Sequence, residues 1–149
     1  MNKPVFVHEI VIRASVEKVW QALTDPAFTE QYYYGSRIDL PSFTAGSAYR
    51  YTGGDAVLLA GEILDADPPH RLVMSFNASW DPALSADPPS RVTWELTPTS
   101  EGVTCLRAVH DGFETETETY RQVAGGWPFI ASGLKTLLET GAPMMAEQG

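Results

Sequence analysis

Three histidines, His8, His70 and His110, are the side chains here best suited to move a proton near neutral pH. They lie too far apart in sequence to show metal-ligand spacing, and no cysteine or carboxylate motif sits beside them. His70 follows Pro68-Pro69 at a turn and reads as solvated surface. His8 and His110 fall on strand faces that can point inward. There each is either a hydrogen-bonded core group or a general acid or base in a cavity. His110-Asp111 is not a dyad, because adjacent strand residues face opposite sides.

The run Tyr32-Tyr33-Tyr34 suggests binding rather than proton transfer, since burying three phenol oxygens requires partners or a wet cavity. With Phe76, Trp80, Trp94, Trp127 and Ile130, and with His8 and His110, these tyrosines form a candidate wall for an apolar small molecule. Phe76, Trp94 and Trp127 read more readily as plain core. Cys105 lies mid-strand with no basic neighbour in sequence, which suits inert packing. Arg50 and Arg107 fit the outer face of a sheet better than an acid-binding site. Glu114, Glu116 and Glu118 read as a solvated helix start. Gly53-Gly54 and Gly125-Gly126 lack the Lys-Ser/Thr of a phosphate loop and read as turn glycines. No cofactor and no metal is therefore expected.

Position comes from the elements around these residues. Trp127, Ile130, Ala131, Leu134, Leu137 and Leu138 fall at offsets 0, 3, 4, 7, 10 and 11, one face of an α-helix. Pro128 predicts a break at Gly125-Gly126, so this helix is expected from about Trp127 to Thr140. Before it the chain reads as strands: Val5 to Ile12, Ser36–Asp39, Ser47–Thr52, Val57–Asp65, Arg71–Ser79, Ser90–Pro98 and Val103–His110. Phe6, His8, Ile10 and Ile12 share the inner side of the first. Two short helices follow it, capped by Ser15 and Asp25, with Val16, Val19, Trp20 and Leu23 buried and Gly35 as the stop. Asp81 to Pro89 reads as a mobile loop. Thr99-Ser100-Glu101-Gly102 reads as a hairpin turn. Pairing Leu96 with Thr104 across it would turn Thr104, Leu106, Ala108 and His110 inward. The helix must bury its stripe on the sheet, the one large apolar surface available.

Composition narrows the class of function. At 149 residues, one domain spanning 1–149 is expected. A net charge of −9 repels a phosphate backbone and an anionic membrane, so nucleic-acid binding is disfavoured. A single cysteine rules out an intrachain disulfide. No apolar run reaches the roughly 18 to 20 residues of a membrane span. Met1-Asn2-Lys3-Pro4 lacks the features of a signal peptide, and a cytoplasmic location is the expectation.

With residues attached, this order resembles the SRPBCC superfamily, also called START-like or Bet v-like helix-grip proteins. Within it the chain is similar to the activator of heat-shock-protein-90 ATPase homologue branch. The matching stretches are Glu9 to Ile12 running into Ala14 through Pro26; Gly61-Glu62-Ile63-Leu64; and Pro68-Pro69-His70-Arg71-Leu72. Val92 through Leu96 and Gly125-Gly126-Trp127 leading into Leu134 through Leu138 complete the set. The resemblance implies an α+β helix-grip fold, a curved antiparallel sheet of about six or seven strands around a long C-terminal helix. It shares no catalytic motif, so function rests on the site. Three readings follow: a binder of a hydrophobic small molecule between sheet and helix, a cyclase- or hydrolase-type enzyme using a cavity histidine, and a co-chaperone-like interaction module with a chaperone partner. A homodimer is compatible with such a chain, though no stripe demands one.

Overall fold

The computed structural model describes residues 3–144. In chain order the elements are β1 (Phe6–Ile12), α1 (Val16–Thr24), α2 (Pro26–Tyr32), β2 (Arg37–Asp39), β3 (Ala48–Gly53) and β4 (Ala56–Asp67). They continue with β5 (Arg71–Ala78), α3 (Pro82–Ser85), β6 (Ser90–Ser100), β7 (Val103–Asp111) and α4 (Glu118–Thr140). The seven strands form one antiparallel sheet in the order β1-β7-β6-β5-β4-β3-β2. Bulges at Tyr51/Thr52, Ile63/Asp65 and Pro98/Ser100 add local bend and twist to this sheet. Its concave side grips α4, which makes the architecture a helix-grip α+β fold.

Alternation decides which side chains meet the helix. Ile12 on β1, Val92, Trp94 and Leu96 on β6, and Leu106, Ala108 and His110 on β7 are buried. They face Val123, Trp127, Ile130, Leu134 and Leu137, the stripe of α4. Each large apolar side chain so buried contributes roughly 1.5–3 kcal/mol. Ser15 and Asp25 cap α1 and α2 as expected, accepting from the amides of Lys18 and Ala27. Gly61 is needed for a close approach. A Cβ there would overlap the Ser75 carbonyl and come within 2.8 Å of the Tyr49 ring, whose hydroxyl donates to that same carbonyl.

Several expectations are corrected. Leu96 pairs with Leu106, and Pro98 with Thr104. The turn is tighter than the four residues read from sequence, closing at Ser100 and Val103 around Gly102 in the left-handed region. A slip of two preserves the faces, so Thr104, Leu106, Ala108 and His110 still point inward. The expected break at Gly125-Gly126 does not occur. The helix starts at Glu118 with Thr117 as its cap and runs through Pro128, so both glycines are helical rather than turn residues. Ala124 and Pro128 are exposed, so the amide bond that proline removes is lost on the watered side. Asp81 to Pro89 is anchored rather than loose. It holds the turn α3 with Leu84 buried, and Asp87 accepts from both the amide and the hydroxyl of Thr119.

Candidate functional site

Where α4 begins to cross the sheet, it leaves a gap. A cavity of about 400 Å³ lies between α4, the segment after α2, and strands β3, β4 and β5. Its wall comprises Tyr33, Tyr34 and Ser36, then Tyr51, Leu58, Leu59, Phe76 and Trp80, and from the helix Gln122, Val123, Gly125, Gly126, Trp127 and Ile130. None of these carries a formal charge. The volume falls within the roughly 300–1,000 Å³ of small-molecule sites. Trp80, Tyr34 and Gly125 are exposed, which marks the open side. Two consecutive glycines in a helix cost about 1 kcal/mol each relative to alanine. A Cβ at Gly125 would meet nothing within 4 Å, and one at Gly126 would press on the Tyr34 hydroxyl at 3.4 Å.

Six of the ten residues singled out in the sequence border this space: Tyr33, Tyr34, Phe76, Trp80, Trp127 and Ile130. Tyr32 does not, because its ring turns toward α1 and its hydroxyl donates to the Ala22 carbonyl at 2.8 Å. Trp94 packs edge-on behind Trp127, with ring centroids 5.4 Å apart. His8, half-buried on β1, stacks toward Trp127 with 6.5 Å between centroids and does not border the cavity. His70 is exposed at its turn. Arg50 and Arg107 sit outside, paired with Asp39 and Glu95. Burial, and to a lesser degree the charge of Glu9, pushes the Cys105 thiol up, which disfavours the reactive thiolate.

His110 is buried at 1% exposure and lies behind the wall, between Phe76, Phe113 and Trp127. The Trp127 indole N–H, which can only donate, bonds to His110 Nδ1 at 3.0 Å. The proton of the neutral ring therefore sits on Nε2 and is donated to Ser90 Oγ at 2.7 Å. Ser90 in turn donates to the Phe76 carbonyl at 3.4 Å. Burial lowers the His110 pKa from 6.5 to about 3, against a smaller raising effect of Asp111. Both nitrogens are engaged, so the group braces the wall and has no lone pair free for a guest.

The remaining polar wall groups divide in two. Tyr34 donates to the Gly126 carbonyl at 3.3 Å and Ser36 to the Tyr33 carbonyl at 2.6 Å. The Trp80 indole donates to Gln122, whose amide is held by Asp81 and Glu118. Tyr33 and Tyr51 stack with centroids 4.4 Å apart, and neither hydroxyl has a partner among the described residues. Among the described residues no buried polar side-chain atom is left orphaned, so each of these oxygens keeps some accessible surface, and both residues border the cavity. Sequence reading missed Tyr51, Leu58, Leu59, Ser36, Gln122, Val123 and the two helical glycines. The signal for Tyr51 was present: Tyr49 and Tyr51 are spaced by two on a strand.

A family model for activator of Hsp90 ATPase homolog 1-like proteins matches residues 13–139, from the end of β1 to the last turn of α4. The chain belongs to that family. Among solved structures, this activator of Hsp90 ATPase homolog 1-like chain is similar to protein MLL2253 from Mesorhizobium loti. The two are 33% identical over 91% of this chain and 97% of that one, with a TM-score of 0.75. It is also similar to DynU16, from the dynemicin biosynthetic locus, at 26% identity over 93% of this chain and 48% of that one, TM-score 0.76. The Aha1 dimer from Colwellia psychrerythraea shares the fold at 20% identity over 93% and 98%, TM-score 0.71. No curated protein matches the chain. Among the described residues no helix is long and apolar enough to cross a membrane, and no group of three or more His, Cys, Asp or Glu could hold a metal ion.

Proposed function

We propose that this protein binds a hydrophobic small molecule in the cavity between the sheet and α4. The observation that carries the reading is the uncharged wall, in which Leu59, Phe76, Val123, Trp127 and Ile130 face open space beside two helical glycines. An apolar guest gains about 25 cal/mol per Å² of surface removed from water, with no charged group to desolvate. The exposed Trp80 and Tyr34 flank the entrance and offer aromatic edges to a ligand on its way in.

The histidine-based enzyme reading is not favoured, because His110 has both nitrogens bonded and His8 lies outside the wall. The co-chaperone reading draws on relatives such as an HSP90 activator from Plasmodium falciparum, 19% identical, whose likeness is one of fold. A titration with the neutral apolar dye Nile red tests the proposal. Wild type should give saturable, blue-shifted emission with one site, and Val123→Phe, which places a ring in the cavity, should lose it. Absence of binding by wild type, or full binding by the variant, overturns the reading.

A further inference from the structure

We infer that the cavity is built for a flat, neutral ligand carrying a carbonyl-type acceptor, which the hydroxyls of Tyr33 and Tyr51 hold. This rests on the small-molecule reading above and specifies the chemistry of the guest. Tyr51 is 4% exposed, and Tyr33 lies stacked on it with an angle of 14° between the rings. A phenol buried in apolar surroundings ordinarily finds a partner. Here Tyr32 and Tyr49, their immediate neighbours, do so, donating to the carbonyls of Ala22 and Ser75. The contrast sets Tyr33 and Tyr51 apart as the two hydroxyls left for something that enters the space.

The polarity of that partner follows from the wall. Burial raises the pKa of both phenols, so each keeps its proton and acts as an O–H donor. A phenol can also accept, but it is the stronger donor, so the better-matched ligand group is an acceptor. No Lys, Arg or His borders the cavity to neutralise a carboxylate or phosphate, and no Asp or Glu borders it to neutralise an amine. Charged ligands would be desolvated without compensation. A neutral ketone, quinone, ester or amide oxygen on an aromatic or polyene frame satisfies the donors and leaves the frame against Phe76, Trp127 and Ile130.

Matched probes separate this inference from the reading it rests on. 2-Acetylnaphthalene, 2-ethylnaphthalene and 2-naphthoate share a ring system and nearly a shape, and differ in the one group concerned. Tryptophan-quenching titrations should show the ketone binding wild type about fivefold to tenfold more tightly than the hydrocarbon, as one or two net hydrogen bonds imply. The carboxylate should bind weakest. In Tyr33→Phe/Tyr51→Phe the ketone should fall to the affinity of the hydrocarbon, which should itself hold or improve. The bound ketone's infrared carbonyl stretch should lie lower in wild type than in the double variant. Equal binding of ketone and hydrocarbon to wild type, or a ketone advantage that survives in the double variant, overturns the inference and leaves the binder standing. Failure of all three probes to bind wild type overturns both. Far-ultraviolet circular dichroism of the double variant confirms that its fold is intact.

Discussion

The indole N–H of Trp127 donates to Nδ1 of His110 across 3.0 Å, tying α4 to β7 at the back of the cavity wall. This bond requires a neutral imidazole, because only an unprotonated Nδ1 can accept, and the ring's one proton then lies on Nε2 and is donated to Ser90. The unfolded chain protonates this histidine near 6.5, whereas the folded one resists until about 3. With the folded pKa lowered, the contribution is fully present above 6.5 and is lost as pH falls toward 3. Between pH 6.5 and 5 the loss is about 2 kcal/mol. Urea denaturation of wild type and His110→Gln at both pH values checks this, and the variant should lack that part of the acid slope.

The helical glycines should be replaceable at one position more readily than at the other. Gly125→Ala meets no atom within 4 Å and restores helix propensity, so it should stabilise by about 0.5–1 kcal/mol. Gly126→Ala presses its methyl on Tyr34 and should recover less. Thermal unfolding of the two variants should rank Gly125→Ala above Gly126→Ala.

Gly61 should tolerate nothing larger. A methyl group would drive into the Ser75 carbonyl and the Tyr49 ring, both fixed by their mutual hydrogen bond. Gly61→Ala is expected to destabilise by roughly 3 kcal/mol, measured from the shift of the urea midpoint. Tyr49→Phe should lose about 1 kcal/mol.

Strand faces were legible because period-two alternation survives errors in register. The two-residue slip at Leu96 moved pairing partners and left Thr104, Leu106, Ala108 and His110 pointing inward. The helix stripe at Trp127, Ile130, Leu134 and Leu137 was equally plain. Its beginning was not. Gly125, Gly126 and Pro128 each oppose a helix locally, and burial of Thr119, Val123 and Trp127 on one face outweighs them. The cavity was half legible. Aromatic residues announce an apolar space, but which tyrosine turns into it depends on rotamer and backbone. Tyr32 and Tyr33 are adjacent, yet one bonds to α1 and the other stacks on Tyr51.

Filling the space should stabilise the empty protein. Val123→Phe adds a ring where Val123 borders open volume, and cavity-filling changes commonly contribute about 0.5–2 kcal/mol. A rise in melting temperature together with lost dye binding is the expected pair of results. A fall typical of overpacking, about 1–3 kcal/mol, would mean that the space does not accept a ring.

The most direct measurement follows the indole N–H signals of the four tryptophans by ¹H–¹⁵N NMR during titration with 2-acetylnaphthalene. Trp80 and Trp127 border the cavity, whereas Trp20 packs on Phe43 at the far side of α1. A guest between the sheet and α4 should shift Trp80 and Trp127 to saturation and leave Trp20 unmoved. No shift at any indole, or a larger shift at Trp20 than at Trp127, would contradict the account.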